Sequence, residues 1–248
     1  MNKHDNDWLK EIQTTIEQYN AKKDFTGIHT LKAAKNKTHF NDMAGILLDY
    51  EIQFGKVTRS NPYFVKHDDS KRQNKTNRNE ERIAALLVSH GYKFSNGSIA
   101  IDFQVPLKDK KRDKVGKIDI LAYNAESRKI FVMELKRPDN DESILRCVLE
   151  AYSYSKIVDS EKLISDWHTA RKSEIVKIDV ADDAMPSPCA LIFKGSLQHK
   201  QYMDPQNQQT RNLIEKLKVE VETIDAYGLI QSLPETKQFL PEQFHKTP

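Results

Sequence analysis

Two apolar segments joined by a short polar stretch constrain the fold of this chain more than any other feature of the sequence. The segments span residues 117–123 and 130–136, and the turn-prone residues 124–128 lie between them. Successive side chains of a strand point to opposite faces, and here both faces are largely apolar. The pattern therefore predicts a β-hairpin that is buried on both sides.

Three charged residues stand at the open end of this predicted hairpin: Asp119, Glu134 and Lys136. If the hairpin is symmetric about the bond between Glu126 and Ser127, Asp119 lies directly opposite Glu134, and Lys136 shares their face. Facing carboxylates are destabilising by up to ~1 kcal/mol at a surface, and burial makes an unpaired charge more costly. Lys136 neutralises part of this charge, which leaves a net negative site suited to a hard cation such as Mg²⁺. The alternative is a buried Asp–Lys–Glu ion-pair cluster without a metal.

The periodicity of the remaining chain predicts a mixed α/β core behind a helical N-terminal extension. We assign residues 1–55 to that extension, 56–76 to a basic polar linker, 77–230 to the core domain and 231–248 to a C-terminal tail. The pattern of the core predicts the order α-β-β-β-α-(α)-β-α-β. The predicted elements are a helix at 77–90, strands at 99–105, 117–123 and 130–136, helices at 141–157 and near 162–171, a strand at 190–193, a helix at 206–217 and a strand at 219–224.

The composition excludes several classes of protein. With eight Gly, nine Pro and two Cys among 248 residues, the chain is neither collagen-like nor a disulfide scaffold. No apolar run approaches the ~20 residues that a membrane span needs, and the first residues form no apolar secretory segment. The sequence also has no Walker phosphate loop, dinucleotide-binding glycine pattern or Cys-x-x-Cys pair. We therefore expect a cytoplasmic protein without a membrane partner.

The hairpin motif resembles the core of the PD-(D/E)XK nuclease superfamily, which includes restriction endonucleases and Holliday junction resolvases. The resemblance rests on Gly-x-Ile-Asp-Ile at 116–120 and Glu-Leu-Lys at 134–136, with Ile118 where the motif name has Pro. It covers roughly residues 77–196, with 197–224 as a completion. It implies a restriction-endonuclease-like αβββαβ core, in which helices flank a mixed central sheet.

The resemblance also implies a reaction and the residues that perform it. Asp119 and Glu134 would bind Mg²⁺ or Mn²⁺, with the carbonyl of Leu135 as a third ligand. Lys136 would position the attacking water and the scissile phosphate. The predicted function is hydrolysis of phosphodiester bonds in nucleic acid, with DNA favoured over RNA. The alternative is a non-catalytic nucleic-acid-binding or interaction protein on the same fold.

Further polar residues on the two helices that flank the hairpin are accessory candidates. Members of the superfamily often carry another Glu on the first core helix, where Glu80 lies on the line of the apolar residues and Glu81 is the alternative. Asn77 and Glu80 also have the spacing of a capping box, in which Glu80 only closes the helix start. Glu150 and Tyr154 resemble a Gln-x-x-x-Tyr element beside the active site, although an ordinary solvated helix face explains the same spacing.

Two basic segments predict contact with phosphates. Residues 56–82 carry eight basic and four acidic residues, and residues 108–117 carry six and two, so each segment has a charge of +4. The alternative is a pair of solvated loops. We also expect a homodimer or a partner that docks on the N-terminal helices. The candidate contacts to nucleic acid are Lys108, Lys110, Lys111, Arg112, Lys114, Lys117 and Arg137.

Overall fold

The computed structural model describes residues 3–55, 57, 59–64, 79–109, 116–171 and 178–246. Within these residues the chain has an α/β fold, in which helices pack on both faces of a five-stranded mixed sheet. Most of the predicted linker at 56–76 lies outside the described residues, as do the first residues of the predicted helix at 77–90.

Helices lie before the strands of the sheet, after them and in two of the connections between them. The α-helices are α1 (Lys3–Lys22), α2 (Lys32–Lys35), α3 (Phe40–Leu48), α4 (Asn79–Ser89), α5 (Ile144–Ile157), α6 (Ser160–Arg171), α7 (Leu197–Met203), α8 (Gln208–Leu217) and α9 (Ala226–Ser232). Short 3₁₀-helices lie at Ile28–Thr30, Pro234–Phe239 and Glu242–Phe244. Among the described residues, no helix has the length and apolar character needed to cross a membrane.

The sheet keeps its strands in chain order: β1 (Ile99–Pro106), β2 (Lys117–Asn124), β3 (Lys129–Leu135), β4 (Met185–Phe193) and β5 (Glu220–Ile224). The pairs β1–β2 and β2–β3 are antiparallel, whereas β4 is parallel to both β3 and β5. Parallel neighbours need a crossover connection, which α5 and α6 provide after β3, and α7 and α8 provide after β4. The open end of the β2–β3 hairpin therefore shares one edge of the sheet with the C-terminal end of β4.

β2 and β3 form the predicted hairpin in the predicted register. Ile120 pairs with Met133, and Leu121 pairs with Val132. All four side chains are fully buried. Ile120 and Met133 belong to the core cluster that contains the apolar face of α4, and Leu121 and Val132 belong to a second cluster with α6. The prediction that the hairpin is covered on both faces is therefore confirmed.

β4 begins at Met185, five residues before the predicted strand at 190–193. The prediction stopped short because Pro186 and Pro188 are strand breakers. Both prolines pair with β3, but β5 joins β4 only from Cys189 onward. The first half of β4 thus has a neighbouring strand on one side, among the residues described. Proline has no backbone N–H, and this is tolerated on the side of a strand that forms no hydrogen bonds with a neighbour.

The helices α7 and α9 were not predicted, because seven residues are too few to establish a helical period. Each has a side-chain N-cap: Ser196 accepts from the N–H of His199, and Asp225 accepts from the N–H of Gly228. After α9, Leu233 and Leu240 are buried in the cluster that contains α4. Apolar packing therefore extends into the segment 231–248, which the sequence analysis assigned to a tail.

The N-terminal helices confirm the helical character predicted for residues 1–55, and they share a hydrophobic core with the rest of the chain. Ile16 of α1 and Leu47 of α3 are fully buried in one cluster with Leu149 of α5 and Leu213 of α8. The apolar faces of these helices are thus covered by the chain itself, over the residues described.

Replacing Leu47 by Ala should lower the free energy of unfolding by ~2–5 kcal/mol, because the site is closed on all sides and leaves a cavity. The loss should appear in one cooperative transition, because α3, α5 and α8 share a core. Urea denaturation followed by circular dichroism measures both quantities, and the half-buried neighbour Leu48→Ala is the control, with a smaller effect. A separate early transition in Leu47→Ala would contradict the shared core.

Candidate active site

The strand register brings a carboxylate pair together at the open end of the hairpin. Continuing the pairing one residue beyond Ile120 and Met133 places Asp119 opposite Glu134, as predicted. On its other side Asp119 faces Gln104, because the flanking residues of β1 pair with the flanking residues of β2. Asp119 thus lies on the middle of three neighbouring strands, at the end of the sheet where the hairpin is open.

Asp119 is held by two hydrogen bonds. Its Oδ2 accepts from the backbone N–H of Leu135 at 3.0 Å, and its Oδ1 accepts from Nε2 of Gln104 at 2.9 Å. Burial, together with the charge of nearby Glu80, raises the pKa of Asp119 to about 7, against the opposing effects of the Lys136 ammonium and the Leu135 N–H. Asp119 therefore exchanges its proton near neutral pH in the metal-free protein.

Glu134 is buried with one oxygen unsatisfied. Its Oε1 accepts from Nζ of Lys136 at 2.9 Å, whereas its Oε2 has no hydrogen-bond partner among the described residues. Burial, followed by the charges of Asp119 and Glu150, raises the pKa of Glu134 well above its usual value, and a side-chain hydrogen bond that the protonated Glu134 shares with Glu150 adds to this increase. A buried polar atom without a partner is costly, so this oxygen calls for a proton or a cation.

Three carboxylates surround the ammonium of Lys136. Its Nζ lies 2.9 Å from Glu134, 3.2 Å from Glu142 and 2.7 Å from Glu150. Burial opposes the charged form, but Glu134 and Glu150 outweigh it and raise the pKa of Lys136 well above its usual value. The sequence analysis had Lys136 balancing only Asp119 and Glu134, whereas here two further carboxylates share the ammonium.

Glu150 and Tyr154 point into the protein, so the alternative of a solvated helix face is wrong. Oε2 of Glu150 binds Lys136, and its Oε1 binds Nη2 of Arg146 at 2.5 Å. Burial opposes ionisation of Glu150, but Lys136 and Arg146 help lower its pKa to about 2. Tyr154 is buried beside the same network, and burial and the charge of Glu134 raise the pKa of its phenol.

Negative charge exceeds positive charge in this network. When all groups are ionised, four negative and three positive charges leave a net charge of −1. Such an excess is unfavourable in a partly buried site, and a bound cation would offset it. The groups are Asp119, Glu134, Glu142 and Glu150 against Lys35, Lys136 and Arg146.

Glu80 joins the first core helix to the segment that follows β3. Its Oε1 accepts from the backbone N–H of Arg137 and from Nδ2 of Asn140, both at 3.1 Å. The capping alternative depends on Asn77, which lies outside the described residues. Glu81 is half-buried on the same turn of α4. Glu80 therefore organises the backbone directly after the Glu-Leu-Lys sequence.

An open cleft of about 710 Å³ lies in front of Asp119. Glu134, Lys136 and Glu150 are not among the residues that line the cleft; all three are buried. Four of the seven predicted nucleic-acid contacts, Lys110, Lys111, Arg112 and Lys114, lie outside the described residues. The charged residues along the cleft are the acidic Glu80, Glu81, Asp119 and Asp139 and the basic Lys108, Lys117 and Arg137. Arg137 also pairs with Asp139 at 2.6 Å.

Gly116 allows the chain to enter β2 against the hydroxyl of Tyr154. A Cβ atom at position 116 would lie 1.9 Å from Oη of Tyr154 and 2.6 Å from its Cζ. Real Cβ atoms do not approach other atoms so closely, so this position accepts glycine without rearrangement and no larger residue. Tyr154 thereby fixes the entry of the strand that carries Asp119.

Gly116→Ala should destabilise the protein by ~1–3 kcal/mol, the usual cost of overpacking. Adding Tyr154→Ala should remove the clash, so that the double variant is no less stable than Tyr154→Ala alone. Gly45→Ala is the control, because the nearest atom to its Cβ would be a carbon of Gln209 in α8 at 3.5 Å, an ordinary van der Waals contact. Urea denaturation of the four variants tests this contact, and wild-type stability of Gly116→Ala would exclude it.

Three residues of the site were not predicted from the sequence: Gln104, Glu142 and Arg146. Gln104 has a φ of 52°, which is rare for a residue other than glycine and concentrates at functional sites. Extending the register from β2 to β1 would have placed it opposite Asp119. Residues 142, 146 and 150 are spaced four apart, so their common helix face was visible in the sequence.

The donor set at the hairpin suits a hard divalent cation. Asp119 and Glu134 offer carboxylate oxygens, and Oε2 of Glu134 lacks a partner within the described chain. Among the described residues, no three His, Cys, Asp or Glu side chains converge as a metal site. A bound Mg²⁺ would therefore need carbonyl, water or substrate oxygens in addition, which is its usual mode of binding.

Comparisons with known proteins do not identify the chain. No protein-family model, no curated protein and no solved structure matches it. The class of site therefore rests on the geometry: a buried acid–base network behind an open cleft with acidic and basic walls.

Proposed function

We propose that this chain is a metal-dependent nuclease that hydrolyses phosphodiester bonds, with DNA as the first substrate to test. The observation that carries the proposal is the pair Asp119 and Glu134, which face each other next to Lys136 and leave one buried Glu134 oxygen without a partner among the described residues. Facing carboxylates are unfavourable unless a proton or a cation relieves their repulsion, and a divalent cation bound between them would do so.

The element order supports the finer proposal of a restriction-endonuclease-like core of the PD-(D/E)XK type. The order α4, β1, β2, β3, α5, β4 follows the αβββαβ pattern, with α6 inserted before β4. The carboxylate pair lies at the edge of the sheet that holds the C-terminal end of β4. Ligands of open α/β sheets commonly bind outside the carboxyl ends of parallel strands, which agrees with this placement.

In this proposal Asp119, Glu134 and the carbonyl of Leu135 hold Mg²⁺ or Mn²⁺. When bound, such a metal would stabilise charge on the phosphate and lower the pKa of a bound water. Asp119 must lose its proton to serve as a ligand, and its raised pKa means that this proton is released near neutral pH. The N–H of Leu135 and Gln104 keep the Asp119 carboxylate oriented toward the cleft edge.

Lys136 and the cleft residues would bind the substrate. Lys136 can donate to a phosphate oxygen once it gives up one of its three carboxylates. Lys108, Lys117 and Arg137 line the cleft and would contact the nucleic-acid backbone, which contributes affinity without reading sequence. Glu80 would keep the backbone of Arg137 in place for such a contact.

Asp119→Asn, Glu134→Gln and Lys136→Met should each lower the single-turnover cleavage rate by about 100-fold or more, the usual size for loss of one electrostatic catalytic group. End-labelled DNA and RNA would be incubated with each protein in Mg²⁺, Mn²⁺ or EDTA. Glu220→Gln is the matched control, because Glu220 pairs with Lys129 at the other end of β3. Cleavage that survives EDTA, or full activity in any of the three variants, would reject the assignment.

One observation favours a second candidate, a non-catalytic nucleic-acid-binding or interaction protein on the same fold. The Lys136 ammonium already has three carboxylate partners, and this network closes without a metal. If the network is only structural, Glu134 is part of a stabilising ion-pair cluster, and its loss weakens the fold.

Thermal melts of wild type and Glu134→Gln, each in EDTA and in millimolar Mn²⁺, separate the two candidates. If the chain is a nuclease, Mn²⁺ should raise the melting temperature of wild type. The stabilisation amounts to about 2.7 kcal/mol when the free Mn²⁺ concentration is 100 times the dissociation constant. Glu134→Gln should be more stable than wild type in EDTA and should lose most of the gain with Mn²⁺. The structural candidate expects a destabilised variant and a wild type indifferent to metal, and Glu220→Gln should follow wild type in both cases.

A further inference from the structure

Arg146 of α5 connects the acidic network to the N-terminal part of the chain. Its Nη2 binds Oε1 of Glu150 at 2.5 Å, and its Nη1 donates to the backbone carbonyl of His29. The N-cap of the same helix is Ser143, whose Oγ donates to the carbonyl of Ala34. Two carbonyls of the N-terminal segment thus fix the first turn of α5 and the direction of the Arg146 side chain.

Glu150 divides its two oxygens between two cations. Oε1 binds Arg146, and Oε2 binds Lys136 at 2.7 Å. The charge of a carboxylate shared in this way attracts each cation less than an unshared carboxylate would. In the absence of Arg146, Glu150 would keep Lys136 as its cation, and the ammonium would be held more tightly in the buried network.

Two hydrogen bonds and one longer ion pair hold Lys136 inside the protein. Its Nζ donates to Glu134 at 2.9 Å and to Glu150 at 2.7 Å, and it lies 3.2 Å from the carboxylate of Glu142. Lys136 is buried and does not line the cleft, so in the proposed reaction it must turn away from part of this network to reach a phosphate oxygen. The contact with Glu150 is the one that Arg146 directly weakens.

We propose that Arg146 is a positioning residue, which holds Glu150 so that Lys136 remains able to transfer from Glu150 to the substrate phosphate. The inference rests on the proposed nuclease function. It makes the N-terminal segment part of the reaction machinery, because the carbonyl of His29 orients Arg146. Arg146 itself touches neither substrate nor reacting atoms.

The positioning role and a purely structural role of Arg146 predict different changes in metal affinity. If Arg146 is a positioning residue, its loss makes the network more negative, so Mn²⁺ should bind as tightly as before or more tightly while the cleavage rate falls. If its role is only structural, its loss should weaken metal binding and cleavage together. The sign of the change in Mn²⁺ affinity therefore separates the two roles.

The test uses the full chain with Arg146→Met, which keeps an unbranched apolar stem, and Arg146→Lys, which keeps a cation beside Glu150. The Mn²⁺ dissociation constant is measured by calorimetry. The single-turnover cleavage rate is measured at saturating Mn²⁺. Melts in EDTA show whether each variant folds. Lys162→Met is the matched control, since Lys162 forms the same i,i+4 ion pair with Asp166 on α6.

Arg146→Met should lower the rate at least tenfold, about 1.4 kcal/mol in activation free energy, with an unchanged or lower Mn²⁺ dissociation constant. Arg146→Lys should stay within about threefold of wild type, and so should the control. In a Glu150→Gln background, Arg146→Met should change the rate less than about twofold, because the carboxylate that it neutralises is gone.

Each other result overturns the proposal. A wild-type rate in Arg146→Met, a weaker Mn²⁺ affinity that falls with the rate, or an undiminished effect in the Glu150→Gln background would each reject the positioning role. If Arg146→Met does not fold, Arg146→Lys replaces it in the test. A fall in its cleavage rate as large as that in Lys136→Met would then reject the positioning role. A wild type that cleaves nothing would reject the nuclease function, and the positioning role with it.

Discussion

The Lys136 ammonium is the interaction on which the candidate site depends. It joins Glu134 of the central hairpin to Glu142 and Glu150 of the segment that crosses to β4. Buried carboxylates around a single cation need further positive charge, because unpaired buried charge costs several kcal/mol. Arg146 supplies one such charge, and Lys35 supplies another at 3.9 Å from Glu142. A metal cation between the hairpin carboxylates would offset the remaining negative charge, which is the physical basis of the proposed function.

The backbone of the sheet keeps Asp119 and Glu134 together despite their repulsion. Both are in strands whose ladders continue on either side, so neither can move away without breaking hydrogen bonds. Gln104 shows the same constraint, since its φ of 52° is kept by the pairs that flank it in β1. On the helix side, Tyr154 packs on Gly116 and closes the entry to β2.

Much of the candidate site could be predicted because it depends on local rules. Alternation and the symmetry of one turn were sufficient for the hairpin, its register and the facing of Asp119 and Glu134. Helical spacing placed Glu80 toward the sheet, where its carboxylate binds the backbone of Arg137. The same spacing could not decide whether Glu150 meets solvent or protein, because polar residues on a helix are compatible with both. The strand predicted at 190–193 was too short for a related reason. The prolines of β4 are compatible with a strand only where one side lacks a neighbouring strand, and the sequence does not show which side that is.

The sequence by itself determined the hairpin and the charges at its open end, because strand pairing across a short turn involves neighbours along the chain. Only the tertiary structure decided what surrounds Lys136. Arg146 meets a carbonyl 117 residues away in the chain, and Ser143 meets one 109 residues away. Such contacts depend on how the N-terminal helices pack on α5 and α8, where burial of shared apolar surface sets the position and no periodicity in the sequence records it.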